Sequence, residues 1–257
     1  MWLVGSDVRK CFLDWRCWAL YPPLPLFPTH PTYLKPIPTN SAPYTHSAIA
    51  QFGVDTMLYG FSTFLPTIIK SISRGTTWTN PQIQALTIPC YLLGAITYLL
   101  TARFSDTYQS RALPTLLGCT VSISGYTLLL VPSASAGAHY LATFLVAAGL
   151  YVAVGLPLSW LPSNSPRYGK RTAGSGFQLS IGNIAGVMTP FIYPSKDGPR
   201  YTMGHAVTLG LVAFGGGVYA VLWGSYVRMN RRREEGREDW KVEGKEEEWV
   251  RELGDEA

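Results

Sequence analysis

Four polar residues spaced by four, Gln51, Asp55, Tyr59 and Thr63, form the most chemically loaded pattern in this 257-residue chain. That spacing keeps an amide, a carboxyl, a phenol and a hydroxyl on one slowly turning helical face. The other faces of QFGVDTMLYGFSTFLPTIIK (Gln51–Lys70) are Phe, Val, Leu, Met and Ile, and no second charge appears before Lys70. An ionisable group in hydrocarbon costs about 3 kcal/mol, so it usually faces a bundle interior or a watery cavity. Asp55 is therefore either tolerated at a membrane surface or turned towards something polar inside a membrane protein. A second stripe, Ser175, Gln178, Gly182, Gly186 and Thr189, has Asn183 beside it and Pro190 at its end. The amides of Gln178 and Asn183 can donate and accept towards a carboxylate-bearing ligand. Gly182 and Gly186 make a small-xxx-small pattern, whose usual meaning is close helix packing.

Enzyme chemistry has no comparable support. His30, His46, His139 and His205 lack ligand-like spacing, and Cys11, Cys17, Cys90 and Cys119 form no CxxC pair, so neither a metal site nor a disulfide framework is expected. There is no GxGxxG or Walker-type loop, and no nucleophile–base arrangement. Gly215-Gly216-Gly217 lies inside an apolar run, where it thins a helix. No catalytic residue, metal or cofactor is expected.

The elements that must carry the two stripes are membrane helices. The chain is 47% hydrophobic and only 14% charged, against roughly 25% charged in soluble domains. Between Thr56 and Arg233 the only acids are Asp106 and Asp197, too few to coat a soluble surface. Six apolar runs follow one another at Ala48–Ile69, Ile83–Ala102, Ala112–Val131, Tyr140–Leu161, Gly174–Tyr193 and Gly204–Tyr226. Each is about long enough to cross ~30 Å of hydrocarbon at ~1.5 Å per residue. Lys and Arg then set the orientation. One set of connections holds nine bases (Arg103, Arg111, Arg167, Lys170, Arg171, Arg228, Arg231, Arg232, Arg233), the other four (Lys70, Arg74, Lys196, Arg200). The first set, and the C-terminus with it, is expected in the cytoplasm. The bases form no block interleaved with aromatics, so nucleic acid is not an expected partner.

Three regions result: an N-terminal segment over residues 1–47, a six-helix transmembrane region over 48–226, and a charged cytoplasmic tail over 227–257. The tail reads as a solvated segment, with a docking element as the alternative. In the N-terminal segment CFLDWRCWAL (Cys11–Leu20) starts an interfacial helix with Trp15 and Trp18 as headgroup anchors. Tyr21–Pro43 then carries eight prolines and cannot continue that helix. With no compact apolar core followed by a small-residue cleavage site, this segment is not expected to be a signal peptide.

From Asp14 to about Asn230 the chain resembles the C-terminal six spans of a major facilitator superfamily transporter, nearest to the fungal anion:cation symporter branch with its allantoate and nicotinate permeases. The likeness rests on DWRCW (Asp14–Trp18), on QFGVDTMLYGFSTFLPTIIKS, on LTIPCYLLGA (Leu86–Ala95) and on RYGKRTAGSGFQLSIGNIAGVMTPFIYPSKDGPRYTMGH (Arg167–His205). It implies an all-α membrane protein, six transmembrane helices forming one half of a major facilitator-type bundle, multi-pass in the plasma membrane. The implied function is transport of a small organic anion, coupled to protons. The implied partners are the lipid bilayer and a missing six-span N-terminal half, or a second copy in its place. The alternative is an inactive fragment, or a structural membrane partner with no transport of its own. In the resembled fold the first span lines the cavity, which turns Asp55 towards the transport path with Gln51 and Tyr59 as neighbours. A buried structural carboxylate is the competing reading. The fifth span stands at the side of the cavity with Gln178 and Asn183, and the fourth adds Tyr151 and Ser159. RFSDTYQSR (Arg103–Arg111) is similar to the superfamily's acidic–basic loop, so Asp106 and Arg111 would latch cytoplasmic helix ends; Thr107 replaces an expected Arg, and a plain positive-inside loop is the alternative. The resemblance also implies that residues Tyr21–Ser47 interrupt a continuous segment, as translated intron or another gene-model artefact would.

Overall fold

A computed structural model of the chain describes residues 42–72, 78–108, 110–163, 168–198 and 200–234. Among these residues six helices follow in order: α1 (Ala42–Ile72), α2 (Asn80–Tyr108), α3 (Ala112–Leu130), α4 (Ala136–Ser163), α5 (Tyr168–Ile192) and α6 (Thr202–Glu234). A 3-10 turn at Ser195–Asp197 precedes α6, and no strand occurs among the described residues. Even α3, with 19 residues, reaches about 28 Å at ~1.5 Å per residue, close to the ~30 Å of hydrocarbon.

Each expected apolar run lies on one helix, and among the described residues four helices are long and apolar enough to cross a membrane: α2, α3, α4 and the Thr202–Arg228 part of α6. The all-helical expectation holds among the described residues, and four of the six expected spans meet that length and apolarity. α1 and α5 have the length, 31 and 25 residues; they fall short in apolarity because they carry the two polar stripes. α1 also begins earlier than its apolar run, at Ala42, so residues 42–47 of the suspected insertion are helical. Pro43 is compatible with that start, since the first turn leaves its amide groups unpaired in any case. Residues 1–41, including Trp15 and Trp18, lie outside the described residues, as do Arg74 and tail residues 235–257.

Small residues let these helices approach closely. α3 and α4 share the most extensive contact. A methyl added to Gly118 would stand 2.9 Å from the Gly149 carbonyl oxygen, and one on Gly125 would stand 2.8 Å from the Val146 nitrogen. α1 and α6 meet the same way, a methyl on Gly53 reaching 2.6 Å from the Leu211 carbonyl and one on Gly215 2.8 Å from that of Ala50. α1 is the central helix, with Val54, Met57, Phe61, Leu65 and Ile69 fully buried. α2 turns Ile88, Leu92, Ile96, Leu99 and Leu100 outward, a dressing that suits lipid and not water. Two compact units divide after Ala220. The first holds α1 to α5 and α6 up to Ala220; the second runs over Val221–Ala257, and its described part is helical to Glu234.

Candidate functional site

Gln51 is the hub of a buried polar network between α1 and α5. Its Oε1 accepts from Gln178 Nε2 at 3.0 Å and from the Tyr219 hydroxyl at 2.9 Å. Its Nε2 donates to Asp55 Oδ1 at 2.7 Å and, more weakly, to the Val154 carbonyl at 3.5 Å. Two lone pairs and two N–H groups are thereby all engaged, the full capacity of one primary amide. Gln51, Gln178 and Tyr219 are wholly buried and Asp55 is 6% exposed. The Gln178 Oε1 has no donor among the described residues, which leaves an acceptor whose desolvation costs about 1–3 kcal/mol. Asp55 pairs with an amide and with no cation among the described residues.

The glycines of α5 are what allow this. A methyl at Gly182 would strike the Asp55 carboxylate and stand 2.9 Å from Gln51 Cγ; one at Gly186 would press the Tyr59 ring at 3.2 Å. The small-xxx-small pair therefore seats side chains of α1 one turn apart. One turn beyond Asp55, the Tyr59 hydroxyl donates to Asn183 Oδ1. Tyr59 is half-buried and Asn183 exposed, so the network runs from a closed end at Gln51 and Gln178 to an open end at Tyr59 and Asn183.

Five of the six residues expected to bind a ligand (Gln51, Asp55, Tyr59, Gln178, Asn183) thus share one seam. Tyr151 stands apart, its ring over Gly94 of α2, in a cleft between α1, α2 and α4. The Ser159 hydroxyl bonds back to the Leu156 carbonyl at 2.8 Å, and its own carbonyl accepts from Arg111 and from the Ser163 hydroxyl. Sequence reasoning missed Tyr219. Its signal was a spacing: Gly215, where α6 touches α1, lies one turn before it on the same face. A second buried cluster was also unforeseen. The Tyr193 hydroxyl lies 2.9 Å from Thr208 Oγ1 and 3.4 Å from His205 Nδ1, and its ring stacks on Phe64 at 4.9 Å.

At the α2–α3 junction Arg111 joins three partners. Its guanidinium donates to the Ser159 carbonyl, to Ser163 Oγ at 2.7 Å and to Asp106 Oδ1 at 3.4 Å. Arg111 therefore caps the end of α4 as well as meeting Asp106, which lies in the last turn of α2 instead of in the expected loop and is exposed. An exposed pair of this length stabilises by at most about 1 kcal/mol.

No family model matches the chain, and no solved structure matches it. Curated relatives do. An uncharacterized transporter of Schizosaccharomyces pombe is 40% identical over 74% of this chain and 37% of its own length. The high-affinity nicotinic acid transporter of Saccharomyces cerevisiae is 33% identical over 65% of this chain and 30% of its own. A major facilitator-type transporter of Emericella nidulans is 31% identical over 54% and 28%. The chain spans about a third of the length of these relatives.

Proposed function

Because the chain belongs to the fungal major facilitator-type transporters, we propose that it forms the last six helices of a carrier for a small organic anion, moved together with protons. The observation that carries this reading is the buried Gln51 hub, which joins an uncompensated carboxyl on α1 to α5 and α6. A carrier of this fold alternates by rocking two six-helix halves about a midplane site. A buried, titratable group between helices is suited to gaining and losing a proton as the site changes access. In this reading Asp55 carries the proton, Gln51, Gln178 and Tyr219 position it, and Tyr59 with Asn183 meets the substrate at the open end. Asp106 and Arg111 latch the cytoplasmic end by tying the end of α2 to α4. The protein sits in the plasma membrane with its C-terminus inside, and nicotinic acid, the cargo named for one relative, is the first substrate to try.

The test is uptake of labelled nicotinate by cells lacking their own nicotinate carrier. They express this chain fused behind the first six helices of the Saccharomyces cerevisiae relative. Saturable, pH-dependent uptake is the expected result. A fusion that reaches the plasma membrane and takes up neither nicotinate nor another small acid overturns the reading.

A further inference from the structure

The buried cluster around Tyr193 takes no part in the Gln51 seam, yet it bears on the same helix. Tyr193, just past the end of α5, is wedged between two glycines. A methyl on Gly60 of α1 would stand 2.9 Å from its ring, and one on Gly204 of α6 would stand 2.6 Å away. The Tyr193 ring stacks on Phe64, one turn beyond Gly60 in α1. Tyr201 closes over both, its ring 5.6 Å from that of Phe64 and 6.1 Å from that of Tyr193. The α5–α6 connection is thus a strap drawn against the second half of α1. It is also strained. Tyr201 has a φ of 45°, a left-handed conformation that is costly for a residue with a side chain and persists only where its surroundings hold it. Here the holding groups are its buried ring and two backbone bonds of 3.0 Å, from the Tyr201 N–H to the Asp197 carbonyl and from the His205 N–H to the Tyr201 carbonyl.

Beneath the strap lies an imidazole with no partner for a charge. His205 is 3% exposed. Its Nδ1 is 3.4 Å from the Tyr193 hydroxyl, which is itself 2.9 Å from Thr208 Oγ1. From α3 comes Tyr126, its ring 5.9 Å from the imidazole and its buried hydroxyl without a hydrogen-bond partner among the described residues. From α4 comes a second base, His139, and α1 contributes only Gly60 and Phe64 to the cluster. Among the described residues, then, the titratable groups bearing on His205 are two phenols and another histidine, and none is a carboxyl. A neutral ring fits this setting, whereas a buried cation without an anion is heavily penalised.

We infer that the α5–α6 connection is an acid-sensitive strap: with His205 neutral it clamps α1 at Gly60 and Phe64, and protonation of His205 releases it. The charged ring reaches water only by displacing Tyr193 and Tyr201, and relief of the strain at Tyr201 favours the same movement. Histidine suits such a switch because its charge changes within the physiological pH range. Release frees α1 next to Tyr59, the residue before Gly60, so the strap acts on the helix that carries the seam. With the C-terminus inside, as proposed above, the strap faces the outer solution and responds to its pH.

Hydrogen exchange of the full chain in nanodiscs tests the strap. The readout is exchange at the Tyr201 and His205 amides, divided by the intrinsic rate at each pH, since local opening exposes them. From about pH 7.5 to about pH 5, the range in which an imidazole charges, the corrected rate is expected to rise at least about tenfold; one proton allows up to about tenfold per pH unit. His205→Gln and His205→Asn keep a polar side chain that cannot charge, and both are expected to stay flat. Asp55→Asn, which removes the titratable group of the seam, is expected to respond as the wild type does. A flat wild type, an equal rise in the two His205 variants, or a response abolished by Asp55→Asn overturns the strap. Uptake is not read, so an inert fusion rejects the carrier and leaves this outcome standing.

Discussion

At the residue scale, Asp55 sets the terms. Its one amide partner and the absence of a cation among the described residues leave a charge that is costly to bury. Asp55→Asn keeps size and hydrogen bonding but removes the titratable proton. In the fusion it is expected to cut uptake at least about tenfold, the effect of ~1.4 kcal/mol lost from the rate-limiting step, without loss from the membrane. Thr56→Val is the control, since the Thr56 hydroxyl only bonds back to the Phe52 carbonyl. Wild-type uptake by Asp55→Asn across about pH 4–7, where unperturbed and mildly shifted carboxyls titrate, rejects the proton-carrying role and leaves a structural carboxylate. Gly182 gives a second test from the opposite helix. Its Cβ would land on the Asp55 carboxylate, whereas one at Gly176 of the same helix meets nothing within 4 Å. Gly182→Ala is expected to abolish uptake and Gly176→Ala to spare it; equal uptake by the two would mean that the carboxyl is not held where the seam needs it.

At the element scale, the seam between α1 and α5 follows from periodicity. Gln51, Asp55 and Tyr59 recur every four residues, and Gln178, Gly182 and Gly186 do the same, so each stripe is legible without its partner. What periodicity cannot give is which helix a stripe meets. Tyr219 was missed because it is the lone polar residue of an apolar stretch of α6, brought to Gln51 only by the Gly53–Gly215 approach. The start of α1 was misjudged because Pro43 reads as a breaker, though proline is tolerated in a first turn. The same logic predicts where packing fails. A side chain at Gly149 would collide with the Gly118 carbonyl and with Ser122, and overpacking of this kind costs about 1–3 kcal/mol. Gly149→Val should lower the melting temperature in detergent. Gly137→Ala, in the open first turn of α4, should leave it unchanged or raise it, as removing a helical glycine gains ~0.5–1 kcal/mol. Equal melting temperatures for both would show that α3 and α4 do not pack through these glycines.

At the scale of the whole molecule, the chain alone is expected not to transport. Its helices should insert, because four satisfy length and apolarity and the loop bases agree on one orientation. A glycosylation acceptor placed within Pro132–His139 should therefore be modified, and one within Pro162–Lys170 should not; the reverse pattern overturns that orientation. Insertion is not function, however. The open end at Tyr59 and Asn183 would face whatever stands opposite, and relatives about twice as long have further chain to place there. Without it, polar groups border lipid, at roughly 2.5 kcal/mol or more for each charged residue on insertion scales. Self-pairing is the low-cost rescue, since the two halves of this fold are related by an axis along the membrane normal. Two copies would bring together two Asp55 carboxyls and two sets of amides, duplicated where a carrier needs complementary groups, and like charges across one cavity repel. Reconstituted vesicles holding only the 257-residue chain are thus expected to show no saturable nicotinate uptake, whereas the fusion does. Saturable uptake by the chain alone, rising with the square of its density in the vesicle as dimerisation requires, would establish that a paired half completes its own site.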